Sequence, residues 1–303
     1  MPSERSRDLH ALAQRVVDAL PREAVEEAVL TGSVSRGVAD AVSDIEMLLV
    51  TPDELTLEQC FALAREAGLE ELDSWGDRAT ATRRVFGYRE GVPVETIWWS
   101  RALAEETVDS MFRGQAQGSA EALAHGVPLR TAGALARWQK RLAEVPEALA
   151  REQIEDAALT WGGFAPAGLL TIARPGEDLA RLERMLDDAA RVLRIVYALN
   201  RVWPRTHKRL ASRVESLRIK PDRLAQRLDE AFAERDPRRA LLVLTQLQAD
   251  TVALAPDGPN VSRARVWLAA GAELLAGDDE AAPESGFGAC AGEDLNLHDR
   301  NGH

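Results

Sequence analysis

Leu30-Thr-Gly-Ser-Val-Ser-Arg-Gly-Val-Ala-Asp-Ala-Val-Ser-Asp-Ile-Glu-Met-Leu-Leu-Val50 is the stretch that decides how this chain is read. The apolar run 24–30 meets Thr31-Gly32-Ser33 and reads as a strand ending at a turn; residues 34–40 allow one helical turn. Ile45, Met47, Leu48, Leu49 and Val50 form a second strand, closed by Thr51-Pro52. Asp44 and Glu46 stand two positions apart on it, so both carboxylates project from one face while Ile45 and Met47 pack on the other. Adjacent carboxylates repel unless a cation neutralises them, and a hard divalent ion such as Mg²⁺ with oxygen ligands is the usual answer. Gly32 permits close backbone approach to phosphate oxygens, and Ser33 adds a hydroxyl just before a helix start, where free N–H groups favour anions. The pattern predicts a phosphate clamp facing a metal site, with a nucleoside triphosphate completing the coordination.

Outward from this stretch, residues 4–20 show helical spacing of Leu9, Leu12, Ala13, Val16, Val17 and Leu20 and stop at Pro21. Residues 57–67 are predicted helical, with Gly68 as C-cap. Residues 83–88 and 92–99 flank Arg89-Glu90-Gly91 and read as a β-hairpin. Glu95 lies inside its second, apolar strand, and a carboxylate there needs a purpose, because burying it unpaired is costly. Beside Asp44 and Glu46 it would complete a two-ion metal site or take a proton from an attacking hydroxyl. The alternative role is an ion pair with Arg83 or Arg84 of the hairpin.

Past Ser100 the sequence turns rich in Ala, Leu, Arg and Glu, and helices are predicted near 101–116, 133–143, 147–160, 178–200, 222–234, 237–254 and 264–276. The fold class expected is α/β, more narrowly α+β: a catalytic domain over residues 1–125 with a small mixed sheet, then an all-α helical bundle over 126–276. Residues 277–303 carry seven acidic residues against one Arg and are expected to be a disordered acidic tail.

The net charge of -12 opposes general nucleic-acid binding, which wants a basic surface. No apolar run approaches the roughly 20 residues that span a bilayer, and residues 1–20 lack a signal peptide's apolar core, so the expected location is cytoplasmic, without membrane partners. Cys60 and Cys290 read as unpaired thiols of a reducing compartment. The oligomeric state is left open. Between Arg181 and Lys220, eleven Lys and Arg stand against four Asp and Glu, a local balance of +7. A triphosphate, or the electron-rich transition state of its cleavage, wants such a partner, and Arg201 and Lys208 are the candidates. Trp98, Trp99, Trp161 and Trp203 are candidate walls of an acceptor pocket, and Glu155 and Asp156 are candidates to hold a cationic acceptor or to serve as base.

Gly-Ser, a spacer of ten residues, Asp-apolar-acid-apolar and a later acid on a strand together resemble the nucleotidyltransferase signature of the DNA-polymerase-β-like superfamily. That superfamily includes the aminoglycoside and lincosamide nucleotidyltransferases. A softer likeness continues through His125-Gly-Val-Pro-Leu and through Ala198-Leu-Asn200-Arg-Val-Trp-Pro-Arg-Thr-His-Lys208, so that it covers about residues 25 to 215. Glu46 stands where many relatives carry Asp.

The resemblance implies a Mg²⁺-dependent enzyme that moves a nucleoside monophosphate from an NTP, expected to be ATP, to a hydroxyl of a small-molecule acceptor, with release of pyrophosphate. Asp44, Glu46 and Glu95 would be the catalytic and metal-binding residues, holding two Mg²⁺ ions. Gly32, Ser33, Arg36, Ser43, Arg201 and Lys208 would bind the nucleotide. An acidic cleft attracts polycations, which points to an aminoglycoside-like acceptor and, as a possible role, to antibiotic resistance. Two alternatives stand beside it: modification of a protein or tRNA, and a catalytically silent nucleotide-binding regulatory protein.

Overall fold

The computed structural model describes residues 2–74, 82–163, 166–204 and 207–277. The expected tail therefore lies outside the described residues, apart from Gly277, as does Cys290. Helix α1 (Glu4–Ala19) is capped by Ser3, whose Oγ accepts from the Ser6 N–H. Strand β1 (Glu27–Leu30), the single turn α2 (Gly32–Ser35) and strand β2 (Ile45–Thr51) follow. Helix α3 (Leu57–Glu66) starts at a reciprocal Thr56/Gln59 capping box. It ends before Gly68, whose φ of +76° is the left-handed conformation expected of a C-cap glycine.

Strand β3 (Glu70–Ser74) precedes the predicted hairpin, β4 (Arg83–Arg89) and β5 (Val92–Ser100). Glu90 and Gly91 at its tip both have positive φ, the geometry that suits the twist of a two-residue hairpin turn. Then come α4 (Arg101–Phe112), α5 (Ala120–Leu123), β6 (Val127–Arg130), α6 (Ala134–Arg141), α7 (Glu147–Gly163) and α8 (Ala167–Ile172). The chain continues with α9 (Asp178–Leu199), α10 (Leu210–Val214), α11 (Leu224–Ala233), α12 (Pro237–Ala253) and α13 (Pro259–Ala276). The expected α+β region with a mixed sheet, followed by helices, is what the chain forms.

The sheet order is β3-β4-β5-β2-β1-β6. Strands β2 and β5 run parallel, and the other pairs are antiparallel. Alternation divides the two central strands cleanly. Ile45, Met47, Leu49, Val94 and Trp98 join the core made with α1 and α3, whereas Leu48 and Val50 join the core of the helical region, with Ile97 and Trp99 packed against it. Glu46 and Glu95 share this second face, so the helices close over the carboxylate side of the sheet.

The division expected after residue 125 falls just short of β6, which pairs with β1 and so extends the sheet. Pro128 within Val-Pro-Leu-Arg breaks the strand pattern in the sequence, yet an edge strand tolerates it. Glu27 of β1 fastens the junction: its fully buried carboxylate accepts from the N–H groups of Ala132 and Ala134, at 3.0 and 2.7 Å, where α6 begins. Among the described residues no helix is long and apolar enough to cross a membrane. Cys60 is buried, which pushes its thiol up to about 12 and leaves it unreactive.

Candidate active site

Parallel pairing of β2 with β5 sets Glu46 directly opposite Glu95. Both line a cleft of about 540 Å³ whose other walls include Thr31, Gly32, Arg36, Arg84, Trp99, Glu121 and Lys208. Asp44 lies one residue before β2 and close enough to raise the carboxyls of both glutamates. Burial raises Glu46 first, then the charges of Asp44 and Glu95, against the lowering pull of Lys208 and Arg36. Glu95 is likewise raised by burial and by Asp44, opposed by Arg84 and Lys208. Three mutually repelling acids thus face a rim of cations.

The longer side chain of Glu46 has a defined place. Gly32 has φ +67°, and a Cβ there would fall 1.7 Å from Glu46 Oε2, so glycine is required both for its backbone and to leave room for the carboxylate. Thr31 reinforces the approach, its N–H donating to the Glu46 carbonyl at 2.9 Å.

In kind, these side chains fit a hard divalent cation: they are carboxylate oxygen donors near one another that repel each other despite the cations opposite. Among the described residues, however, no three His, Cys, Asp or Glu side chains are gathered tightly enough to hold an ion as they stand. The expected three-acid, two-ion site is therefore not preformed among the described residues. Two physical reasons apply: like charges spread apart, and Arg84 Nη1 donates to Glu95 Oε1 at 3.3 Å, the ion pair that the sequence offered as the alternative role for Glu95.

The expected nucleotide-binding residues separate into groups. Gly32, Arg36 and Lys208 line the cleft. Ser43 is occupied in a tight turn, accepting from the Asp40 N–H and donating to its carboxylate, both at 2.9 Å. Ser33 lies next to Gly32 in α2, and its carbonyl accepts from Val38 N. Arg201 is not brought to the carboxylates: its guanidinium bonds the Val145 carbonyl and pairs with Glu144 at 3.1 Å, in a separate depression with Asn200 and Arg218.

The local excess of Arg is largely neutralised in pairs, among them Arg184–Asp188, Arg191–Asp187, Arg194–Asp156 and Arg209–Asp40. Asp156 is engaged in one of these, and Glu155 accepts from Asn260 N at the start of α13, so neither faces the cleft as an acceptor site. Of the four tryptophans proposed as walls, Trp99 lines the cleft, while Trp98, Trp161 and Trp203 are buried in the cores.

Glu121 is the residue that sequence reasoning missed. It lines the cleft and pairs with both Arg36 and Arg213. A lone Glu in Ser119-Ala-Glu-Ala-Leu carries no signal that separates it from a surface helix acid.

No protein-family model and no curated protein sequence matches the chain. Among the solved structures similar to it are the following two. One is a nucleotidyltransferase-like protein from Exiguobacterium sibiricum 255-15, at 14% identity and TM-score 0.29, over 89% of this chain and 72% of that one. The other is spectinomycin adenyltransferase AAD(9) from Enterococcus faecialis, solved with ATP and spectinomycin, at 12% identity and TM-score 0.29, over 88% of this chain and 98% of that one.

Proposed function

We propose that this chain is a divalent-metal-dependent nucleotidyltransferase that moves a nucleoside monophosphate from an NTP, with ATP the expected donor, to a hydroxyl of a small-molecule acceptor. The observation that carries the reading is the register pairing of Glu46 with Glu95 on the floor of a cation-rimmed cleft, with Asp44 beside them. Asp44, Glu46 and Glu95 would hold Mg²⁺, which when bound offsets negative charge on the phosphates. Gly32 leaves room for the Glu46 carboxylate rather than for a phosphate oxygen, and Arg36 and Lys208 face the polyphosphate as fixed cations.

Glu95, raised by burial, suits the role of proton acceptor. Its carboxylate takes the acceptor's hydroxyl proton, that oxygen bonds to the α-phosphorus, and the bond from the α-phosphorus to the bridging oxygen breaks. Pyrophosphate departs toward Lys208. In this reading the sheet region through β6 carries the chemistry and the helices from α6 onward cover it. The acidic chain disfavours a protein or tRNA acceptor, which would call for an extended basic surface.

The Arg84–Glu95 pair favours a second reading, a protein that binds nucleotide without turning it over. Incubation with Mg²⁺ and each NTP, with and without a panel of aminoglycosides, separates the two. Acceptor-dependent pyrophosphate release supports the transferase, NTP binding without release supports the silent protein, and no NTP binding defeats both.

A further inference from the structure

Behind the cleft, one guanidinium joins residues that are far apart in sequence. Arg213 of α10, with its side chain 3% exposed, donates from Nη1 to Glu121 Oε2 at 3.1 Å and from Nε to the Lys208 carbonyl at 2.7 Å. Glu121 Oε1 accepts from Arg36 Nη1. Arg36, Glu121 and Lys208 line the cleft, whereas Arg213 does not. The segment bearing Lys208 is therefore tied, through one buried arginine and one carboxylate, to the arginine that follows Gly32-Ser33 in the sheet region.

An acid on the wall of a site built for an anion repels its ligand, and withdrawing Arg213 and, in part, Glu121 and Arg36 from water for stability alone is poorly rewarded compared with apolar packing. Glu121 has a use if its task is to hold two cations. Arg36 and Arg213 repel each other, and the shared carboxylate between them keeps Arg36 directed at the cleft. The same bridge fixes the backbone from which Lys208 extends.

We propose that Glu121 and Arg213 are positioning residues that lock Arg36 and Lys208 into a single anion-binding unit for the polyphosphate of the nucleotide. This rests on the nucleotide reading above. It makes a prediction opposite in sign to simple electrostatics: Glu121→Gln removes a negative charge from the cleft wall, yet weakens polyphosphate binding.

The test is calorimetric titration of the full chain with inorganic tripolyphosphate and with ATP, without divalent ions and at low salt, accompanied by a melting curve for each variant. Glu121→Gln should bind both ligands about tenfold more weakly or worse, the size of one lost charge-assisted hydrogen bond. Arg213→Lys keeps the charge but lacks the fork that reaches both Glu121 and the Lys208 carbonyl, and should weaken binding similarly. Equal or tighter binding by folded Glu121→Gln overturns the proposal, as does wild-type binding by folded Arg213→Lys. Unfolding of both variants marks the trio as a structural clamp and also overturns it. Where the wild-type chain binds neither ligand, wild type and variants are titrated again with ATP and Mg²⁺ and judged by the same criteria; absence of ATP binding by the wild-type chain there too defeats the nucleotide reading itself, a result separable from any behaviour of the variants.

Discussion

Glu46 and Glu95 are register partners across the parallel strands β2 and β5, and their side chains line one cleft on the face that the helices cover. Parallel pairing brings together two acids that are 49 positions apart in the chain. From that juxtaposition come a repulsion to be relieved and the oxygen donors that would hold a cation able to relieve it.

Removing one of these charges should uncouple activity from stability. Asp44→Asn and Glu46→Gln are expected to lower turnover by at least about a hundredfold, as loss of charge placement in a polar site commonly does. Melting temperatures measured without divalent ions should hold or rise, because repulsion among the acids falls. Unfolding of these variants would identify a structural ion pair instead.

Gly32→Ala is expected to fail on two counts. The left-handed backbone at φ +67° costs about 1–2 kcal/mol for a residue with a side chain. The new Cβ would occupy the position of the Glu46 carboxylate. A lower melting temperature together with lost turnover, measured on one preparation, is the expected pair of results.

Acid titration should reveal the bridge behind the cleft. Burial would raise Glu121, but the hydrogen bonds and charges of Arg213 and Arg36 outweigh it and hold the carboxyl below its usual 4.5. A carboxyl depressed in the folded state contributes stability above the unfolded value and loses it as pH falls through the folded one. The melting-temperature difference between wild type and Glu121→Gln should therefore be greatest near neutral pH and shrink in acid below the usual carboxylate range. A constant difference across that range would contradict the assignment.

Trp161 offers a control remote from the cleft. Its Nε1 donates to Asp188 Oδ1 at 2.8 Å, and Asp188 also accepts from Arg184 Nε at 2.7 Å, deep among the helices. Burial raises the Asp188 carboxyl even so. Trp161→Phe should destabilise the chain by about 1–3 kcal/mol through one lost buried donor while leaving turnover unchanged. Denaturant melts and steady-state rates check the two halves.

What the sequence disclosed follows from which signals are local. The hairpin at Glu90-Gly91, the acid-bearing strand at 45–50 and the long amphipathic helices each carry their pattern within a few residues, and all are present. Strand β3 was missed because Glu-Glu-Leu-Asp-Ser is a polar edge strand without apolar alternation, and β6 because of Pro128. The short helices α5, α8 and α10 span less than two full turns each and depend on tertiary packing. Arg201 lies in a different depression, paired with Glu144, which the sequence does not disclose because a count of positive charges does not say which are already paired. Glu121 escaped notice for the converse reason, since its two partners lie 85 and 92 positions away.

Titration of the protein with Mn²⁺ in the presence of a non-hydrolysable ATP analogue, with wild type, Glu46→Gln and Glu95→Gln compared side by side, asks whether strands β2 and β5 hold one ion between them. Shared coordination predicts saturable binding by the wild type and a loss of affinity of about tenfold or more in each variant. Wild-type affinity in Glu95→Gln would show that its carboxylate serves Arg84 alone and that the two strands do not share an ion.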